Sequence, residues 1–170
     1  IDWVADLESH GGEARQYYVV HMEEAGTLGK LLREAKKNPN KIANLKISGN
    51  ICAVDFYFMR DSMEILKAVN LKETKIVGCW GAYVSINGGY AHYIYFPGEM
   101  PESYEEQGQA IEAQYPIGTT IYMHSTKVVG IVDEIPHDAF IEKSTLTYFV
   151  FPEKVTKIDN SAFASTTLSG

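Results

Sequence analysis

The side chains best suited to chemistry are spread thinly along this chain of 170 residues. Its five histidines stand singly, and the His-x-x-x-His and Cys-x-x-Cys spacings that indicate a zinc site do not occur. The sequence also lacks a Gly-x-Ser-x-Gly elbow, a phosphate-binding loop and a dinucleotide fingerprint. It therefore predicts a protein that is not an enzyme and that uses no metal or cofactor.

Acidic side chains are the remaining candidates for acid–base chemistry. Glu105, Glu106 and Glu112 lie close together in the sequence, but an acidic run of this kind is typical of a solvated face. Asp55 is the most unusual polar residue, because it lies in an apolar phrase beside a helix pattern. We interpret Asp55 as a cap for that helix and not as an active-site group.

Composition limits the classes of partner. A net charge of −7 argues against a nucleic-acid partner, since nucleic acids bind to basic faces. No run of 18 apolar residues predicts a membrane span, and the length allows one well-buried domain. Cys52 and Cys79, which are 27 residues apart, either lie on adjacent structural turns or, as we prefer, are simply buried free thiols.

Aromatic side chains make residues 77–130 the strongest candidate for a binding region. Asn87-Gly88-Gly89, between strand-like runs at 82–86 and 90–96, predicts a β-hairpin whose second arm carries tyrosines on one face. These rings either pack on one another or form a patch that contacts a ligand. On the second interpretation, the ligand-binding residues are Trp80, Tyr83, Tyr90, Tyr93 and Tyr95.

The elements on either side of this region repeat. The phrase Ile-x-x-x-Ala-Phe occurs at 135–140 and again 23 residues later at 158–163. A period in the twenties with a short strand in each unit predicts a leucine-rich solenoid, in which every turn buries its apolar edge on the next. We therefore expect Phe140 and Phe163 to be buried in one row. The predicted strands of the solenoid lie at about 44–48, 68–72 and 147–151.

Helical patterns separate the predicted strands. Apolar spacing predicts a helix over 28–35, with Thr27 as its N-cap, and a second helix within 54–66. The other predicted elements are a first edge strand at 16–22, an acidic loop or short helix at 100–114 and a strand at 117–123.

Two phrases resemble the BspA-like leucine-rich repeat proteins, surface proteins of anaerobic gut and oral bacteria. The first is Ile-Pro-x-x-Ala-Phe, continued by Leu-x-x-Phe-x-Phe-Pro-x-x-Val-x-x-Ile-x-x-x-Ala-Phe, over 135–163. The second runs from Gly-Thr-Leu through Leu-Lys-Ile-Ser-Gly-Asn-Ile within 26–71. That family usually has a cysteine shortly after each Ala-Phe pair, where this chain has Lys143 and Ser165.

The repeats and the resemblance together predict the fold and its parts. We expect an α/β leucine-rich repeat right-handed solenoid with a short parallel sheet, interrupted by an aromatic-rich β-hairpin insertion. A leader or linker is expected at 1–16, followed by a single leucine-rich repeat domain at 17–170. Within that domain we predict helix-containing repeats at 17–76, the aromatic insertion at 77–130 and Ala-Phe repeats at 131–170.

Two functions from different classes fit these predictions. One is a non-enzymatic adhesion or recognition module that binds a host extracellular protein or a glycan. The alternative is a structural repeat segment, or assembly part, of a larger surface protein. Because members of the resembled family are secreted or lipid-anchored, both functions imply an extracellular location at the bacterial cell surface, with any lipid anchor before Ile1. The chain itself is expected to be monomeric or weakly self-associating.

Overall fold

Ten strands, three α-helices and one 3-10 helix make up the computed structural model, which describes residues 3–7 and 14–168. No helix in this part of the chain is long and apolar enough to cross a membrane. In chain order the elements are β1 (Trp3–Leu7), β2 (Ala14–Met22), α1 (Leu28–Glu34), the 3-10 helix (Pro39–Lys41), β3 (Asn44–Ile51), α2 (Ala53–Ser62), β4 (Ala68–Ile76), β5 (Cys79–Ile86), β6 (His92–Pro97), α3 (Tyr104–Glu112), β7 (Ile121–Gly130), β8 (Glu134–Ile135), β9 (Tyr148–Val150) and β10 (Lys157–Ile158).

The larger sheet is built mainly from parallel strands. Its order is β1-β2-β3-β4-β9, with β1 antiparallel to β2 and all other neighbours parallel. The strand predicted at 16–22 is not at an edge, because β1 pairs with its outer side. The three strands predicted for the solenoid are confirmed as β3, β4 and β9, and they lie side by side.

Two of the predicted segment boundaries lie at the ends of strands, and one lies inside a strand. The range 1–16, predicted as a leader or linker, contains β1 and the start of β2. Residues 1–2 and 8–13 of that range lie outside the described residues. The boundaries predicted near 76 and 131 coincide with the ends of β4 and β7.

Alternate residues of the parallel strands build the main core. Leu45 and Ile47 of β3 are fully buried, and so are their equivalents on β4, as their period-two spacing predicts. Helices α1 and α2 pack on this face, where Phe56 meets Phe140 edge-on with ring centroids 5.8 Å apart. Asn70 lies between the two equivalent residues of β4 and so points to the other side of the sheet, where it is also buried.

Asp55 ties the two helices of this sheet together. Its buried Oδ2 accepts hydrogen bonds from the backbone N–H groups of Gly26 (2.7 Å) and Cys52 (3.0 Å), and Oδ1 accepts one from Leu28 (3.1 Å). Burial raises the pKa of Asp55, and these three donors oppose that shift. The predicted capping role is confirmed, and it extends to α1 as well as α2. Thr27 occupies the predicted N-cap position of α1, but its side chain makes no capping hydrogen bond.

Three antiparallel strands form the smaller sheet, in the order β6-β5-β7. The predicted hairpin is confirmed as β5 and β6, and its turn has positive φ at Asn87 (50°) and Gly88 (76°), which suits a type I′ turn. Helix α3, within the predicted 100–114 segment, packs on one face of this sheet. On that face Trp80 is stacked on Phe96 with ring centroids 4.4 Å apart.

The predicted right-handed leucine-rich repeat solenoid is wrong. The fold is mixed α/β, with four parallel strands, one antiparallel edge strand and a separate antiparallel sheet that has its own helix. The apolar spacing is misleading because parallel strands joined by one short crossover also bury equivalent apolar residues at such intervals, as Leu45 and Val69 do (69 − 45 = 24). Residues 77–130, predicted as the insertion, contain β5, β6, α3 and β7, so the predicted hairpin, short helix and further strand are all present.

A repeat of 23 residues is present at one place in the fold. Strands β8 and β10 pair in parallel, with Ile135 beside Ile158. The rings of Phe140 and Phe163 stack with centroids 5.7 Å apart, so the predicted single row is confirmed. Phe140 is fully buried as predicted, whereas Phe163 is only partly buried.

Lys143 closes the C-terminal end of α2. Its side chain is buried, and Nζ donates to the backbone carbonyl oxygens of Arg60 (3.0 Å) and Met63. The last carbonyls of a helix have no partner within the helix and carry partial negative charge, so a cation is favourable there. Burial lowers the pKa of Lys143. Lys143 thus joins α2 to the segment that follows β8.

Candidate functional site

The face of the smaller sheet opposite α3 carries polar and aromatic side chains. Strand register places Tyr83 of β5 beside Tyr93 of β6, and Gly81 beside Tyr95 and Lys127. Because side chains alternate between the two faces of a strand, these residues share one face. Tyr93 is 36% exposed and Tyr95 is 38% exposed, so this face is open to solvent.

Six rings form a continuous row along this face and onto α2, which we call the tyrosine row. From one end to the other, the distances between neighbouring ring centroids are 6.1, 6.0, 4.8, 5.6 and 4.6 Å. These separations lie within the range of favourable aromatic contacts. In spatial order the rings belong to Tyr57, Tyr95, Tyr93, Tyr83, His124 and Tyr122.

Gly81 allows the row to lie close to the sheet. A Cβ atom at this position would be 3.0 Å from Cδ1 of Tyr95 and 3.0 Å from Cγ2 of Val129. Glycine in a strand often marks such a close approach. Any larger residue would push the Tyr95 ring outward and change its spacing to the neighbouring rings.

Two cations lie over the tyrosine row. Nζ of Lys127 is 4.4 Å from the ring centroid of Tyr93, and Cζ of Arg60 is 4.7 Å from that of Tyr57. Both distances permit a cation–π interaction. The Arg60 guanidinium is also paired with Asp61 at 2.8 Å. Lys127 makes no ion pair within the described part of the chain, so its charge is available to a ligand.

Polar contacts hold the ends of the row. The Tyr57 hydroxyl donates to the carbonyl oxygen of His137 (3.1 Å), and burial raises the pKa of Tyr57 to about 12, which keeps the phenol protonated. At the other end, His124 Nε2 and Ser85 Oγ are 2.9 Å apart. A nucleophile–base pair needs a third group that orients the histidine. No carboxylate contacts His124 in the part of the chain that the structure describes, so this pair fits hydrogen bonding better than acyl transfer.

Two comparisons with known proteins gave no match for this chain. No family model matches the chain. No curated protein matches it at a significant level either. Across residues 3–7 and 14–168, no three His, Cys, Asp or Glu side chains are grouped so that they could hold a metal ion.

The structure brings together three of the five residues predicted as ligand-binding, namely Tyr83, Tyr93 and Tyr95. Trp80 is not among them, because it points to the opposite face and is only 2% exposed beneath α3. Tyr90 lies beside the hairpin turn, is 99% exposed and is not one of the six rings. The two interpretations of the aromatic region therefore merge, since the rings pack on one another and still face solvent.

Sequence reasoning missed the other half of the tyrosine row. Tyr122 and His124 lie on β7, where a register shift opposite Tyr83 leaves His124 as an extra residue. Tyr57 comes from α2, on the far side of β4 in the chain. The alternation of Tyr122 with His124 is a usable signal for β7, whereas nothing local predicts that Tyr57 joins a row on another sheet.

Proposed function

We propose that this protein is a non-enzymatic recognition module that binds a glycan chain through the tyrosine row. The row itself carries the proposal, because its six rings touch in sequence while Tyr93 and Tyr95 keep over a third of their surface exposed. Tyrosines provide large and rigid contact area with a polar end, which makes them frequent in binding surfaces. A contiguous exposed strip of them is a typical mark of an interaction site.

A polysaccharide suits this surface better than a host protein does. Sugar rings have apolar C–H faces that stack on aromatic rings, and hydroxyl groups that bond to phenol, imidazole and ammonium groups. The row offers Tyr83 and Tyr93 for stacking, with His124 and Lys127 beside them. An open strip matches an extended chain, whereas a small ligand usually binds in a concave pocket.

The same proposal includes an extracellular location at the bacterial cell surface. Its support is the sequence phrase at 135–163 and the resemblance that this phrase carries. The proposal does not depend on a solenoid, which this fold does not have. Glycans and matrix proteins are the partners that such a surface module would meet.

A glycan array, together with a panel of extracellular-matrix proteins, tests the proposal on one purified protein. We expect binding to at least one polysaccharide and a loss of binding in Tyr93→Ala and Tyr95→Ala. Removal of one stacking ring should weaken binding by about 1–3 kcal/mol, as found for rings that stack on nucleotide bases. Tyr90→Ala is the matched control, since Tyr90 is fully exposed outside the row.

The outcomes separate the parts of the proposal. Binding that persists in both row variants, or that falls equally in Tyr90→Ala, would remove the tyrosine row from the function. Binding to a matrix protein alone, with the same pattern among the variants, would keep the recognition role and exclude the glycan. Recovery of a shortened glycan would contradict the non-enzymatic role.

A second candidate function is assembly with further copies or with repeats of a larger surface protein. It is favoured by the position of β9 as the last strand of the larger sheet among the described residues, and by Phe151 directly after it, which is 39% exposed. Sedimentation over a wide concentration range tests this function. Self-association that is lost in Phe151→Ser would support it, and a strictly monomeric protein would contradict it.

A further inference from the structure

Two cysteines meet where the two sheets join. Cys52 is the N-cap of α2, Cys79 is the first residue of β5, and both are free and buried. They belong to one small apolar cluster with Ala25 and Ala53. The preferred expectation of two buried free thiols is therefore confirmed, whereas adjacent solenoid turns are not present in this fold.

The two sulfur atoms have different surroundings. The two thiols interact within this cluster, and their interaction lowers the pKa of Cys79 and raises that of Cys52. The backbone N–H groups of Ala53 and Val54, in the first turn of α2, also donate to Cys79. The N-terminus of α2 also donates to Cys52, whose side chain accepts from the Asp55 N–H, but only Cys79 lines a surface cavity. Cys79 is therefore the thiol that a small oxidant meets first.

A surface cavity gives access to Cys79. Its volume is about 290 Å³, which is room for roughly ten water molecules. Cys79 lies in its wall, together with Gly78, the segment 98–100, the end of β7 and residues 131–132. Cys79 is only 1% exposed, so a reagent of nearly the size of water reaches its sulfur much more readily than a bulky disulfide would.

From this arrangement we propose that Cys52 and Cys79 are a peroxide-sensitive pair, with Cys79 as the residue that reacts first and Cys52 as the residue that closes the disulfide. The proposal rests on the contact of the two thiols, on the first turn of α2 and on the cavity. It is independent of the tyrosine row and of the proposed glycan ligand.

The chemistry needs hydrogen peroxide as the oxidant and nothing else. Sγ of Cys79 attacks one oxygen, the O–O bond breaks, and the leaving hydroxide takes the Cys79 proton, which gives a sulfenic acid and one water. Sγ of Cys52 then attacks the Cys79 sulfur, the S–O bond breaks, and the hydroxide leaves as a second water with the Cys52 proton. The two sulfurs lose two electrons in total, and the peroxide gains them.

The resulting bond would fasten the start of α2 to the start of β5. It would close a loop that contains the whole of α2 and β4, so it would reduce the freedom of the unfolded chain. We therefore expect the oxidised protein to have a higher melting temperature than the reduced protein. The tyrosine row spans the same junction, through Tyr57 of α2 and Tyr95 of β6.

Peptide mapping after treatment of the folded protein with hydrogen peroxide tests the proposal. We expect a disulfide-linked pair of peptides that contain residues 52 and 79, formed faster in the folded protein than in the same chain unfolded in urea. In Cys52→Ser, Cys79 should stop at the sulfenic acid, which a dimedone probe labels. In Cys79→Ser, Cys52 should stay reduced.

Two results would overturn the proposal. One is a folded protein in which both thiols survive peroxide that oxidises the unfolded chain. The other is a disulfide that joins two chains in place of residues 52 and 79 of one chain. The experiment on the unsubstituted protein decides between these results even if a serine variant fails to fold, and circular dichroism shows whether it does.

Discussion

The two sheets use aromatic residues in opposite ways. Against the larger sheet, Phe56 of α2 and Phe140 are fully buried and contact each other inside the core. In the smaller sheet, one face hides Trp80 beneath α3 while the other leaves Tyr93 and Tyr95 exposed. The larger sheet therefore holds the fold, and the open face of the smaller sheet is free to serve binding.

The largest loss of stability is expected when the ring of Phe140 is removed. Phe140→Ala deletes contacts with Phe56, Phe149 and Phe163, and a buried phenylalanine of this kind contributes about 3–5 kcal/mol. Phe163→Ala should cost less because that ring is only partly buried. Chemical denaturation measures both. A Phe140→Ala protein as stable as the parent would contradict the assignment of stability to the larger sheet.

The next largest effect is expected at Asp55. Asp55→Ala leaves three buried or partly buried backbone N–H groups without their acceptor, which should cost about 3 kcal/mol of unfolding free energy. Asp55→Asn keeps one acceptor oxygen and should cost less. Asp61→Ala is the matched control, since Asp61 is exposed and pairs only with Arg60, so its loss should be below about 1 kcal/mol. Equal losses of stability in the two alanine variants would show that the buried hydrogen bonds of Asp55 do not stabilise the fold.

Lys143 should give an intermediate effect. Lys143→Met keeps the aliphatic stem but removes the ammonium donors to the carbonyl oxygens that end α2, at a cost of about 1–2 kcal/mol. Lys154→Met provides the comparison, because the Lys154 side chain is 80% exposed and its Nζ lies 3.6 Å from Asp133. Thermal unfolding of both variants is the measurement. A Lys154→Met variant that loses as much stability as Lys143→Met would show that burial of the cation is irrelevant.

Gly81→Ala tests whether the close packing of the tyrosine row on the smaller sheet matters for binding. The added Cβ would crowd the Tyr95 ring and should cost about 1 kcal/mol of stability while it weakens glycan binding. In Gly108→Ala the new Cβ meets nothing within 4 Å and α3 gains helix propensity, so this variant should be neutral or slightly more stable and should bind normally. Unchanged binding in Gly81→Ala would mean that the position of Tyr95 in the row is unimportant.

The smallest effect on stability is expected in the tyrosine row. Tyr93→Ala removes a ring that is 36% exposed and whose main contacts are with neighbouring rings on the open face, so the loss of stability should be about 0.5–1 kcal/mol. The same variant should lose binding. Differential scanning calorimetry beside the binding assay measures the two properties together, and a loss of stability as large as that of Phe140→Ala would abolish the distinction between the sheets.

Sequence patterns predicted the local elements well because period and turn chemistry are local. The strands around Leu45 and Val69 and the Asn87-Gly88 hairpin follow from apolar alternation and from the turn residues. The arrangement of the two sheets could not be predicted in this way. Apolar spacing shows which side chains are buried, but it does not show which helix or strand covers them. The Trp80 side chain shows this limit, since either face of β5 could have been the open one.

The candidate site was predicted only where one hairpin supplies it. Tyr83, Tyr93 and Tyr95 follow from the hairpin register, whereas Tyr57 and His124 depend on contacts between elements that are distant in sequence. The scaffold roles of Asp55 and Lys143 are partly of the same kind, because their partners lie up to 83 residues away in the chain.

The pairing of β4 with β9 sets an order of events during folding. Lys67 accepts hydrogen bonds from the N–H groups of Thr147 and Tyr148, so this contact closes a loop of about 80 residues that holds the whole smaller sheet. The β3–β4 pairing joins residues only 24 apart in the chain, as in Leu45 and Val69 (69 − 45). Because longer loops lose more entropy on closure, β2, β3 and β4 should assemble early and β9 should dock last. Native-state hydrogen exchange should then find β9 to be the first strand of the larger sheet to open, among β2, β3, β4 and β9.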